Sequence, residues 1–354
     1  MIAPLALAVL AVTLAWPVPL LLARATWPAR APAAALLLWQ SIAIAGGLSM
    51  IGALLTFGLA PFGGDLVSGA VGLAKRGVLA VSLPHALALA GAALFALHLL
   101  LNFTLTIVRS ERQRRRHAQL LFLLSSPLPS GSRMLDSPAP VAYCLPGAVT
   151  SVTVVSAGLV ELLDDDEMTA VIEHEKAHVT QRHDVVLVAF RAWYVSLPWF
   201  PIAFRAQREV GLLIEMLADD RARRVVPDSV LARAIVLVGA ERGSEQVTAS
   251  LPDWGDVASI DQLRNRIARL DARPLSNAAE AVVVVAAIAL LAVPTVLLFA
   301  PAITALLESP AGRRPPPSPL PSEMTEVRMP RSGIAGTHSP PRLTSPSFRK
   351  GTSR

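Results

Sequence analysis

The residues of this chain best suited to chemistry are His174-Glu175-Lys176-Ala177-His178, an H-E-x-x-H motif. Residues four apart on a helix share a face, so His174 and His178 can offer imidazole nitrogens to one metal ion. Glu175, one position further round, can reach a water on that metal without being a ligand. A catalytic zinc wants three protein ligands and one open position, which leaves the two histidines one short. Glu215, in the helical-looking run Val210–Val226, is the obvious third ligand. Asp219 follows four residues later on the same face and is placed to hydrogen-bond a ligand imidazole. Metal-assisted hydrolysis is the chemistry this set predicts, with zinc as the cofactor and Glu175 as the general base. The bland alternative makes the motif one solvated helix face.

The elements around the motif set a membrane context. Of the 354 residues, 53% are hydrophobic and only 16% charged, and the mean hydropathy is +0.51. That is the composition of a membrane protein. One cysteine, Cys144, excludes an intramolecular disulfide and a cysteine zinc site. The net charge of +6 is clustered, so it reads as topology, with no direct nucleic-acid contact.

Three apolar stretches precede the motif, at about 3–22, 33–59 and 85–108, and are expected to span the bilayer. Pro17 and Pro19 are expected to kink the end of the first. Gly46, Gly47 and Gly52 give the second a small-residue face for helix packing. Residues 61–83 read as a loop. After the third span come five arginines within eight residues, Arg109 to Arg116, a strong cytoplasmic marker. Alternation then puts the N-terminus outside and residues 109–277 in the cytoplasm. The fourth span is expected at 278–307, and a Pro/Ser/Arg-rich tail, 308–354, is expected to be disordered and outside.

Within 109–277, Ser151–Ser156 is a β-branched strand candidate. Asp164 and Glu167 form a capping box ahead of a motif helix over about Asp165–Gln181. Val185–Phe204 is apolar enough to be mistaken for a span. A crossing there would put Glu215 across the membrane from His174 and His178, so it is read as a buried helix or one lying against the membrane. Asp261–Leu270 reads as an amphipathic basic helix that packs on the domain or sits near anionic lipid. His183 and Asp184 fit either a role behind the site or a solvent-facing helix end. The fold class expected is mainly α: a polytopic membrane protein with a cytoplasmic α+β zincin-like domain between its third and fourth helices.

These residues resemble the BlaR/MecR-type membrane metallopeptidases, over roughly Met1–Leu307. Ala142-Tyr143-Cys144-Leu145-Pro146-Gly147, Ser156-Ala157-Gly158-Leu159 and Leu163–Glu167 lead into His174–His178 in that family's manner. Glu215 to Asp219 matches the E-x-x-x-D element of glutamate-zincins. The resemblance implies an integral-membrane endopeptidase whose substrate is a cytoplasmic protein, a BlaI/MecI-type winged-helix repressor in the known sensors. It also implies that Ser151–Ser156 binds substrate as an added strand. The known sensors carry a penicillin-binding domain after the fourth helix, where this chain has a short tail. Ser347-Phe348-Arg349-Lys350 spells S-x-x-K there, without the companion motifs of such a domain. The expected partners are a protein substrate and the lipid bilayer, and a homodimer is compatible with the sequence. Two alternatives remain: a membrane zincin of the prenyl-protein or quality-control kind, and a non-catalytic receptor or scaffold with a structural metal.

Overall fold

In a computed structural model, residues 2–128, 131–145, 152–198, 200–245 and 260–308 are described. Residues 309–354, with the S-x-x-K sequence and the expected disorder, lie outside these, as do Pro146, Gly147 and Ser151. Proline punctuation shapes the membrane helices. Pro17 and Pro19 split the first apolar stretch into α1 (Ile2–Ala15) and α2 (Pro17–Arg24), because Pro17 begins a new helix where its missing N–H costs nothing. A 3-10 turn, Trp27–Arg30, leads to α3 (Pro32–Leu59), again with proline at its first position.

The stretch expected to be a loop after α3 contains a further helix, α4 (Leu66–Arg76). Its start is fixed by a capping box: Asp65 accepts from the Val67 and Ser68 amides, and Ser68 Oγ accepts from Asp65 N. The third apolar stretch continues past Val108 as one helix of 42 residues, α5 (Leu83–Leu124). Arginine is a good helix former, so the charge cluster ends the apolar run and not the helix. At 1.5 Å per residue α5 is about 63 Å long, roughly twice the hydrocarbon core of a bilayer. Among the described residues, four helices are long and apolar enough to cross a membrane: Ile2–Arg24, Pro32–Leu59, Leu83–Leu124 and Asn277–Thr304.

Beyond α5 lies a four-stranded sheet of β1 (Ser125–Pro127), β2 (Arg133–Leu135), β3 (Ala142–Leu145) and β4 (Val152–Ser156), in the order β1-β2-β4-β3. β2 and β4 run parallel and the other pairs antiparallel. This order corrects the added-strand expectation for Ser151–Ser156. β4 is hydrogen-bonded on both edges, to Arg133–Leu135 and to Ala142–Leu145, and so has no ladder left to offer. The edges are β1 and β3, and β3 packs beside the motif helix.

After α6 (Ala157–Leu162), capped by Ser156 Oγ on Leu159 N, comes the motif helix α7 (Asp165–Thr180). The expected capping box is formed: Asp164 Oδ1 accepts from Glu167 N at 2.8 Å, and Glu167 Oε2 accepts from Asp164 N at 3.0 Å. Arg182, at φ 51°, takes the left-handed conformation and turns the chain into α8 (His183–Ser196). Val185–Phe204 is therefore neither a span nor one helix: α8 ends at Ser196, and α9 (Pro201–Ala222) packs back along it. α10 (Asp228–Glu245), α11 (Ile260–Leu270) and α12 (Asn277–Glu308) complete the described chain.

The site helices and the membrane helices share one core. Leu14, Leu22, Ala35, Trp39, Ile42 and Ala45 of α1–α3 cluster with Phe190 of α8 and Val210, Leu213, Ile214 and Met216 of α9. The small face expected on α3 is used in two places. A Cβ at Gly47 would lie 3.1 Å from Trp193 Cη2 of α8, and one at Gly52 would lie 2.8 Å from Leu298 Cδ2 of α12. Glycine at these positions lets bulky neighbours reach the α3 backbone.

Candidate metal centre

α7 and α9 bring His174, His178 and Glu215 together, with one ligand atom of each within 4.8 Å of the others. His174 Nε2 and His178 Nε2 are 3.3 Å apart. Glu215 Oε2 is 3.4 Å from the first and Oε1 is 3.6 Å from the second. Two donors each about 2.05 Å from a tetrahedral zinc stand about 3.3 Å apart, so these separations fit that ion. Imidazole, imidazole and carboxylate are also the donor types of open catalytic zinc sites.

The remaining ring nitrogens are held in a way that frees both Nε2 atoms. His174 Nδ1 donates to Asp219 Oδ1 at 2.9 Å, which turns Nε2 toward His178 and Glu215. His178 is oriented through His183. Gln181 Oε1, which can only accept, is 3.0 Å from His183 Nε2, so the proton of His183 sits on Nε2. Its bare Nδ1 then accepts from His178 Nδ1 at 3.2 Å, and His178 Nε2 is left free for an ion. His183 is 3% exposed. That settles the two readings open for it: it lies behind the site, brought there by the left-handed turn at Arg182. Asp184 turns the other way and pairs with Arg114 of α5.

Arg266 of α11 is the residue the sequence did not reveal. Its Nε donates to Asp219 Oδ2 at 2.9 Å and its Nη2 to Oδ1 at 2.6 Å. Its Nη1 lies 3.1 Å from Glu215 Oε2. One guanidinium thus holds both carboxylates that α9 presents to the site. The only sequence signal was two arginines, Arg266 and Arg269, three apart on a basic helix, opposite neighbouring acids at Asp219 and Asp220. Arg269 Nη2 binds Asp220 at 2.5–2.6 Å, and Arg269 also donates to Met216 O (3.2 Å) and Ala29 O (2.5 Å). Arg30 Nε donates to Arg273 O, and Leu275 N to Arg30 O. α11 therefore packs on the domain, one of the two roles expected for it.

The charges follow from this packing. Burial pulls the His174 imidazole down, but Asp219 and Glu215 outweigh it and push it up to about 9. Burial takes His178 down to about 4. Burial raises the Glu215 and Asp219 carboxyls, yet both end below their ordinary values, Glu215 through His174 and Arg266, and Asp219 through Arg266 and His174. The buried Asp219 carboxylate and the partly exposed Glu215 carboxylate together draw positive charge to the His174 imidazole. Glu175, next along α7, sits close enough to act electrostatically on Cys144 of β3 and on Arg266.

His183 gives a direct prediction. Replacing it with alanine removes the acceptor that orients His178. Zinc affinity, measured by chelator competition, should fall about 10-fold or more, the usual effect of losing such a partner. An unchanged affinity would mean that His178 is oriented by packing alone.

Residues 109–217 match the model of peptidase family M48. No curated protein and no solved structure matches the chain. The matched segment runs from the arginine end of α5 through the sheet and both histidines to just past Glu215; Asp219 and Arg266 lie beyond it. M48 peptidases are zinc metallopeptidases. The match and the four apolar helices together support a membrane-associated metallopeptidase.

Proposed function

We propose that this protein is a membrane-embedded zinc endopeptidase in which His174, His178 and Glu215 hold the ion. The observation that carries this is the approach of the donors, 3.3 Å between the two Nε2 atoms and 3.4 and 3.6 Å from them to Oε2 and Oε1 of Glu215, with the other nitrogen of each imidazole already engaged. A zinc ion at this position supplies Lewis acidity toward the scissile carbonyl and acidifies the attacking water. Glu175 takes the proton of that water and passes it to the leaving amine. Asp219 keeps the His174 ring in its working orientation, and Arg266 holds Asp219 and Glu215 in place. Among the described strands the edge beside the motif helix is β3 (Ala142–Leu145), which suits it, and not β4, to pair with an extended substrate.

The substrate in this reading is a cytoplasmic protein, with a BlaI/MecI-type repressor as the specific candidate, and the metal domain is cytoplasmic. A second reading, a zincin acting on membrane proteins themselves, is favoured by the core that α8 and α9 share with α1–α3. The test is elemental analysis of the purified protein in detergent, with cleavage of a co-expressed repressor and of a membrane-tethered peptide followed in parallel. Wild type is expected to carry about one zinc per chain, and Glu215→Ala to lose it. A wild type without zinc would end the peptidase proposal. Cleavage of the tethered peptide alone would select the second reading.

A further inference from the structure

The long apolar helices serve as a ruler for depth. On α5, His98 comes eleven residues before Arg109, the first charge after the apolar stretch, or about 16 Å along the helix. On α3, Gly47 lies fifteen residues, or about 22 Å, into the helix from Pro32, past the mid-point of its 28 residues. α8 touches both levels with its last turn. His98 Nε2 is 2.9 Å from Ser196 O, and the Trp193 indole lies against Gly47. At its other end α8 is tied by Asp184 to Arg114, five residues beyond Arg109. α8 therefore runs down α5 from outside the charge boundary to a level about 16 Å below it by the α5 ruler and deeper by the α3 ruler, at least to the middle of a hydrocarbon layer of about 30 Å. α9 returns from there to Glu215.

We infer that α8 and α9 form a re-entrant hairpin, sunk into the bilayer from the side of the metal centre, with its outward side chains against lipid acyl chains. The inference takes the four long helices as spans and does not depend on the peptidase reading.

A turn inside hydrocarbon must satisfy its own backbone, because no water is there to do so. Three amides of this turn are satisfied within it. Leu197 N donates to Trp193 O at 3.0 Å, Phe200 N to Leu197 O at 3.0 Å, and Ala203 N to Phe200 O at 3.0 Å. Pro198 and Pro201 have no N–H to satisfy. Ser196 Oγ is spent on Ala192 O at 2.7 Å. On the outside of the hairpin, Val195 and Phe204 are 38% and 57% exposed, as suits lipid-facing positions. Arg205 and Arg208 are also exposed. They sit one and two turns back toward the boundary, and their long stems let the guanidinium groups reach headgroups. With the turn about half-way down, Glu215, fourteen residues after Pro201, stands at the level of the headgroups.

Site-directed labelling tests this on the full chain in liposomes. In a Cys144→Ser background, nitroxides are placed at Val195→Cys and Phe204→Cys. Leu101→Cys on the exposed face of α5 serves as the lipid reference, and Asp166→Cys on α7 as the water reference. Collision with oxygen and with a water-soluble nickel chelate is then measured. The expected result is loss of nickel collision at 195 and 204, as at 101, with oxygen collision retained. Nickel collision at 195 and 204 equal to that at 166, with 101 protected, overturns the hairpin and leaves the spans standing. Nickel collision at 101 as well overturns both. Zinc content of the same samples reports on the metal centre separately, so the two readings fail independently.

Discussion

Glu175→Gln is expected to keep its zinc and lose peptide hydrolysis, by about 10²-fold to 10⁴-fold, the usual contribution of a positioned general base. Glutamine preserves the size and polarity of the side chain but cannot accept the proton of the attacking water. The metal site should not notice the change. In the proposed site the ligand nitrogens are those of His174 and His178, and the third donor is Glu215 on another helix. Zinc per chain by elemental analysis and turnover of a cleavable protein substrate are the paired measurements. Hydrolysis within a few-fold of wild type would take the role of base from Glu175. Loss of zinc would make it part of the metal's support. The same variant separates an enzyme from a scaffold, since a structural metal site has no use for a carboxylate next to its first histidine.

Arg266→Ala should weaken zinc binding by about 10-fold to 100-fold, the range seen when groups that orient metal ligands are removed. The reason is the company Arg266 keeps. Asp219 is 1% exposed, and its carboxylate is shared by one imidazole and one guanidinium. Without the guanidinium a buried anion loses its cation, a defect that costs about 3–5 kcal/mol when a buried pair is broken. Glu215 loses a contact at 3.1 Å at the same time. Arg266→Lys restores the charge but offers one compact ammonium in place of a fork, so it can serve only one of the two carboxylates well. Its zinc affinity should fall between alanine and wild type. Chelator competition gives the affinities, and circular dichroism with a melting curve shows whether the variants are folded. A folded Arg266→Ala with wild-type zinc affinity would show that packing alone positions Asp219 and Glu215.

What the sequence disclosed and what it withheld divide along the range of the interactions. The capping box at Asp164 and Glu167 and the shared face of His174 and His178 are set within a few residues, and each formed as read; the apolar stretches are helical too, but the first is split at Pro17 and the third runs on past Val108. The geometry also places Glu215 and Asp219 where helical spacing put them. The misses are non-local. Arg266 lies 47 residues from Asp219 in sequence, and nothing near it distinguishes a buried clamp from a solvated basic face. The edge of the sheet depends on β4 entering between β2 and β3, which strand propensity alone does not encode. His183 reaches His178 because Arg182 is left-handed, a conformation with no glycine to announce it. Val185–Phe204 has the hydropathy of a span, and only the break at Leu197–Phe200 makes it two helices.

α11 grips two partners with arginines three residues apart. Arg266 holds the carboxylates of the metal centre, and Arg269 holds Ala29 in the turn that joins the first two membrane helices. The turn and the start of α12 are further stitched together by Arg30 to Arg273 and Leu275 to Arg30. α11 is thus a mechanical bridge: under the proposed metal centre, a shift of this helix would reach the carboxylates of the site and the membrane turn together, and an ion bound there would in turn resist that shift.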